Sequence, residues 1–196
     1  DVVVVSHADL PHSGNVPWFL ERYEDLEVIV STTLPDVVGL PASSTIVDFG
    51  ESRDVCGRTF TFGSPPLLDL FNTIWAYDHP SGVLFTADGF GNYHDLADRD
   101  RTSAELPDGV SAESIYAYLN DSIRWLRYAD PEKLHAGLDS FLSNYEIEYI
   151  APIHGNPIHR SDLDTYLDRF EDAVRRITDE FDPENVVTRD ERVEQR

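Results

Sequence analysis

At 196 residues the chain can bury one sizeable core and is too short for two comfortable domains. Its 37 acidic against 15 basic residues give a net charge of −22, which repels nucleic acid and anionic membrane, and no apolar run approaches the roughly 18 residues of a membrane span. A single cysteine, Cys56, excludes an internal disulfide and argues against a cysteine-based metal site.

The acid is spread along the whole chain, and Lys133 is the sole lysine. A disordered acidic tail does not explain that distribution. A salt-rich cytoplasm does, because at molar salt the Debye length shrinks to about 3 Å and self-repulsion becomes tolerable. A halophilic, cytoplasmic protein that needs salt to fold is therefore expected. Methionine is absent, and Asp1 is too large a second residue for removal of an initiator. The chain is expected to lack its natural N-terminus and to begin in mid-strand.

Val2-Val3-Val4-Val5 reads as a strand covered on both faces, and it empties into a loop running from His7 through Asp9 and His12 to Gly14. Asn15 to Tyr23 predicts a short helix with Pro17 in its first turn, Leu26 to Ser31 a second strand, and Thr33 to Gly39 a brief helix. Strands follow at Thr45 to Phe49 and, after a Cys56-Gly57 turn, at Arg58 to Phe62. Ser64 to Asp69 is a proline-rich rigid loop, and Asn72 to Tyr77 and Val83 to Thr86 form a hairpin. Asn92 to Asp108, polar and punctuated by Pro and Gly, reads as a long surface loop of the kind that often covers sites.

Ser111 to Ala129 carries apolar residues at helical spacing behind an N-capping Ser111, and Asp130 caps a second helix that opens with Pro131. Ile147 to Ala151 is a strand that empties into Pro152-Ile153-His154-Gly155. A last helix runs from its cap Ser161 to about Phe181, and residues 182–196 read as linker or tail. The interleaving of helices with strands, and the antiparallel hairpins at the centre, predict a mixed α/β sheet with helices outside.

Three strand ends thus carry metal-ligand chemistry: His7, Asp9 and His12 after the first strand, Asp88 after Val83 to Thr86, and His154 after Ile147 to Ala151. Asp69 joins them from the proline-rich loop. Imidazole and carboxylate together suit zinc, iron or manganese. The plainer reading of Asp9 is a loop or helix-cap aspartate, and that of Asp69 a turn residue. His79, His94, His135 and His159 read as structural or exposed, Gly89 and Gly91 as permitting tight backbone, and Trp18, Trp75 and Trp125 as turn and core.

In order and spacing these motifs resemble the metallo-β-lactamase superfamily, and within it the diiron domain of the flavodiiron oxygen and nitric-oxide reductases. That family's opening signature, His-x-Glu-x-Asp-His followed by Ser-Gly or Ala-Gly, is similar to His7-Ala8-Asp9-Leu10-Pro11-His12-Ser13-Gly14. Its proline-rich segment, in which a histidine precedes Asp-Ser/Thr, matches Pro66 to Thr73. The context of its bridging aspartate, Leu-Phe-Ser-x-Asp-x-Phe-Gly, resembles Leu84-Phe85-Thr86-Ala87-Asp88-Gly89-Phe90-Gly91. Its final Ser-His-Gly resembles Ile153-His154-Gly155. The resemblance covers about residues 1–178, which it marks as a metallo-β-lactamase-like domain with residues 179–196 as a tail. It implies an αββα sandwich whose first strands are missing here.

Carried over position by position, the resemblance implies that a first metal takes His7, Asp9, Asp69 and Asp88, with Asp69 where the family has histidine. A second takes His12, Asp88 and His154, because Pro11 stands where the family supplies a carboxylate. Two irons are implied, or one given the loss at Pro11, with zinc or manganese as alternatives. FMN would come only from a separate domain or a partner such as a flavodoxin-like electron donor, and the assembly could be a homodimer. The implied function is binding or reduction of the small molecules O2 or NO. The alternatives are a metal-dependent hydrolase of the superfamily, and a degenerate domain kept for association.

Overall fold

The computed structural model describes residues 1–31 and 40–181. The helix expected at Thr33 to Gly39 and the tail from Asp182 lie outside the described residues. Two sheets stack between two layers of helix. The first sheet is three-stranded and parallel, in the order β1 (Val2–Val4), β2 (Glu27–Val30), β3 (Thr45–Ile46). Against its outer face lies α2 (Val16–Leu20), preceded by the single turn α1 (Leu10–Ser13). The second is six-stranded and mixed, running sequentially through β4 (Ser52–Val55), β5 (Arg58–Gly63), β6 (Trp75–Asp78), β7 (Val83–Phe85), β8 (Tyr149–Ala151) and β9 (Ile158–His159). Its far face carries α3 (Ala112–Ser122), α4 (Pro131–Leu142) and α5 (Leu163–Glu180).

Alternation along the strands builds the layers. In β2, Val28 and Val30 turn toward Val5, Val16 and Leu40, while Ile29 turns inward. Ile74 and Ala76 meet Ile29, Val47, Val55 and Phe62 between the sheets, whereas Trp75 and Tyr77 face the helices. The largest core, centred on Trp75, Leu84, Phe90, Ile115 and Leu119, joins the six-stranded sheet to α3, α4 and α5. Each such fully buried aliphatic or aromatic side chain contributes roughly 1.5–3 kcal/mol.

Several elements differ from expectation. The loop after β1 contains the single turn α1, started by Asp9. The Ser111 helix stops at Ser122, because Ile123 turns out of helical geometry (φ −110°, ψ 65°) to bury its side chain, and Arg124–Tyr128 continue as 3₁₀. Ser161 is not the cap of α5: a 3₁₀ turn (Arg160–Asp162), capped by His159, precedes it. Strands β4 and β9 were not expected, and β1 is only half-buried. Of the three tryptophans only Trp75 is core, Trp18 and Trp125 being exposed.

β7 and β8 pair parallel, Leu84 opposite Ile150, so both strands end at one edge of the sheet. At that edge Ile153 N–H donates to Ala87 O (2.8 Å) and Thr86 N–H to Ala151 O (3.2 Å). The end of β1 reaches the same place: Ile74 N–H donates to Ser6 O at 2.7 Å, joining the first sheet to the start of β6. The topology therefore gathers three strand ends that are dozens of residues apart in sequence.

Candidate metal centre

All six expected side chains meet at this seam. His7 Nε2 lies 3.4 Å from Asp9 Oδ1 and 3.4 Å from Asp69 Oδ2. His12 Nε2 lies 3.4 Å from Asp88 Oδ1 and 3.9 Å from Asp9 Oδ1, and His154 Nε2 lies 3.5 Å from Asp88 Oδ1. The donor atoms of His7, His12 and Asp88 fall within 4.8 Å of one another. The His7 and His12 ring centroids are 4.0 Å apart, and those of His12 and His154 5.5 Å. The cluster has two lobes, His7 with Asp9 and Asp69, and His12 with Asp88 and His154, sharing one centre.

Local structure aims each group. Asp9 is the N-cap of α1, accepting from the His12 amide at 3.3 Å through the same Oδ1 that faces His7, so the capping and ligand readings of this residue coexist. Thr73 Oγ1 donates to Asp69 Oδ1 at 2.9 Å, leaving Oδ2 turned to His7. Asp88 sits in a turn in which Ala87 (φ 51°) and Phe90 (φ 62°) both adopt left-handed backbone, a conformation that costs non-glycine residues of order 1–3 kcal/mol each. Hydrogen bonds hold that turn: Tyr118 OH donates to Asp88 O (3.1 Å) and Tyr166 OH to Phe90 O (2.6 Å). Gly91 lets the ring of Tyr118 approach, since any Cβ there would run into it.

The electrostatics are those of a donor set waiting for a cation. His7 is wholly buried, and burial pushes its imidazole below the ordinary value against the opposing pull of Asp69, which favours the neutral ring that a metal requires. Burial pushes the Asp88 carboxyl up, Asp69 pushes it further, and the three histidines only partly offset this. Both His7 Nε2 and Asp88 Oδ1 are buried without a hydrogen-bond partner. Buried polar atoms without partners are rare and each calls for a cause. Here one cation would satisfy both, and the mixed nitrogen and oxygen donors suit iron, manganese or zinc.

Pro11 lies on the wall of an apolar cleft of about 460 Å³ beside His12, with Val4, Ile74, Phe85 and Ile153 among the other walls. The remaining histidines stay outside the cluster, His94 and His79 exposed and His159 tied to Ser161. Sequence reasoning missed Asn92, Asn156, Tyr118 and Tyr166, which brace the ligand turns, Tyr118 also lying against the His154 ring at 5.9 Å between centroids.

No family model matches the chain. A coenzyme F420H(2) oxidase of Methanocaldococcus jannaschii is 26% identical over 163 residues, 79% of this chain and 38% of the oxidase. The structure superposes on a flavo di-iron protein variant from Thermotoga maritima with a TM-score of 0.71 at 23% identity, covering 88% of this chain and 42% of that one. The chain has the flavodiiron form of the metallo-β-lactamase fold. Rubredoxin oxygen:oxidoreductase from Desulfovibrio gigas shares this flavodiiron fold with a TM-score of 0.68 at 22% identity, over 91% of this chain and 43% of that one. The chain thus spans about two-fifths of the length of the relatives it matches. Among the described residues no helix is long and apolar enough to cross a membrane.

Proposed function

We propose that this flavodiiron domain holds two iron ions, one through His7, Asp9, Asp69 and Asp88 and one through Asp88, His12 and His154, and serves to bind and reduce O2 or NO. The observation that carries the reading is the pair of buried, partnerless atoms His7 Nε2 and Asp88 Oδ1 at the middle of six converging donors. The proteins it resembles, an oxidase and a flavo di-iron protein by name, support it. When bound, iron would supply a redox-active Lewis acid with open coordination positions.

The chain's own residues do the rest. Burial favours the neutral form of His7, which is the form that ligates, and burial together with Asp69 raises the Asp88 carboxyl, a penalty that a nearby cation would relieve. Asp69 and Asp9 concentrate negative charge on the His7 side, and the shorter donor list beside Pro11 leaves the His12 side open. The apolar wall there, Pro11 with Val4 and Ile74, suits an uncharged diatomic better than an anionic ester. Electrons would come from FMN in another domain or from a flavodoxin-like or rubredoxin-like partner, in an assembly that includes a homodimer.

The test is anaerobic loading with iron(II) in molar KCl, followed by metal analysis, NO titration with visible spectroscopy, and O2 consumption with a chemical reductant. The expected result is two irons per chain, a visible band that grows with NO, and reductant-dependent O2 uptake. Retention of no iron, or iron blind to both gases, overturns the reading.

A further inference from the structure

His154 is the half-exposed member of the cluster, its side chain 47% accessible; its imidazole lies 3.5 Å from Asp88 Oδ1 and packs against the rings of His12 (5.5 Å between centroids) and Tyr118 (5.9 Å). Such contacts leave part of its positioning to the backbone. That backbone is clamped to the Asp88 turn by one residue. Asn92 N–H donates to His154 O at 3.1 Å; Asn92 Oδ1 accepts from Asn156 N–H at 3.0 Å; and Asn92 Nδ2 donates to Asn156 O at 3.2 Å. The main-chain N–H of Asn92 thus holds His154 and its side-chain amide holds both main-chain groups of Asn156, pinning the chain at the histidine and two residues beyond it. Asn156 carries the clamp outward, its Nδ2 donating to Asp98 O (2.7 Å) and Arg101 O (2.8 Å). Gly155, at φ +101°, is the residue that permits the approach, because a Cβ there would run into Asn92.

Both asparagines are almost fully buried, Asn92 at 1% and Asn156 at 2% exposure. A buried amide in a loop is costly unless all its groups are paired, and here they are paired across two ligand-bearing turns, four residues past Asp88 and two past His154. We infer that Asn92, with Asn156 as its counterpart, is a positioning residue that fixes His154 against Asp88 and so sets the affinity of the His12 half of the metal centre. The inference rests on the proposed metal reading for its consequence, though not for the clamp itself.

Titration of the metal-free 196-residue chain with manganese(II) in molar KCl, followed by calorimetry, tests it. Asn92→Ala is expected to weaken, by about 10- to 100-fold, the binding event that His154→Ala abolishes, and to leave any other event unchanged. A merely structural Asn92 would instead weaken every event equally, and that result overturns the inference. Amide exchange in the metal-free protein decides the clamp independently: Asn92→Ala should speed exchange at Asn92 and Asn156 at least about tenfold and leave α5 unaltered, and unchanged protection refutes it. Should Asn92→Ala fail to fold, Asn92→Asp keeps the Oδ1 acceptor, lacks the donor and is expected to give an intermediate loss. Absence of manganese or iron binding in the unsubstituted chain would sink the proposed function, while the exchange measurement would still judge the clamp.

Discussion

Replacing His7 by leucine should raise the stability of the metal-free protein and lower that of the metal-loaded one. In the absence of a cation, His7 Nε2 is buried with no hydrogen-bond partner, and an orphaned polar atom of this kind costs about 1–3 kcal/mol. Leucine has a similar volume and no such atom. It forfeits the long contacts of Nδ1 to Ser6 Oγ and of Nε2 to the Asp9 and Asp69 carboxylates, each at 3.4 Å and too stretched to contribute its usual share, and leaves Asp69 still held by Thr73. The net expectation is a gain of about 1 kcal/mol, or about 2–4 °C in melting temperature for a domain of this size. With manganese at a hundred times its dissociation constant the native protein gains about 2.7 kcal/mol, most of which the variant forgoes, so the order of the two melting curves inverts. Thermal melts in molar KCl, with chelator and with excess manganese(II), make the comparison. If His7→Leu melts below the native protein in chelator, Nε2 is satisfied in solution and the reasoning from orphaned donors fails.

Gly91→Ala should cost about 1–3 kcal/mol in urea unfolding, because its Cβ must displace the Tyr118 ring from the Asp88 turn. Leu84→Ala, in the middle of the six-stranded sheet and fully buried, should cost about 2–5 kcal/mol by the same measurement. For Asp78, burial alone would raise the carboxyl, but hydrogen bonds from Arg58 and Ser81 outweigh it and hold it below the ordinary value. Its contribution is therefore full above the unfolded value of about 3.9 and is lost as pH falls through the lower folded value. Arg58→Leu should accordingly destabilise at pH 7, with the gap to the native protein closing as acid protonates Asp78; a gap independent of pH would refute this. The charge of −22 predicts a melting temperature that climbs from low to molar KCl, and a flat response would remove the expectation of salt dependence.

The site was legible because each ligand turn follows an apolar run that only a buried strand explains. The runs Val2 to Val5, Val83 to Thr86 and Ile147 to Ala151 could be placed without knowing their partners, and His7, Asp88 and His154 follow directly. What escaped had no local signal. Ser52–Val55 is polar because β4 is an edge strand with little to bury, so its composition does not distinguish it from a turn. Nothing at Ile123 breaks a helix, and the end of α3 there reflects the burial of Ile123 and Leu126 in the core under the helices. Asn92 and Asn156 look like any loop asparagines until the fold shows them facing one another. Trp125 is held at the surface by a hydrogen bond from Nε1 to Leu68 O at 2.6 Å, a contact that reaches across 57 residues.

The two departures from the flavodiiron motif are linked by charge. The family motif gives three carboxylates across the two metals: the glutamate two residues after the leading histidine, the aspartate before the final histidine of the opening signature, and the bridging aspartate. This chain loses one at Pro11 and gains one at Asp69, so Asp9, Asp69 and Asp88 again make three. The proposed donor set therefore carries as many carboxylates as the family motif. What changes is the distribution. The His7 lobe holds Asp9 and Asp69 at 3.4 Å each, whereas the His12 lobe has the shared Asp88 as its one carboxylate. Two ions bound here would be unequal, the one beside His7 tightly held and hard in character, the one beside His12 weaker and more open. That asymmetry makes the backbone clamp on His154 consequential: where a carboxylate has been lost, the affinity that remains depends on how firmly the last imidazole is held in place.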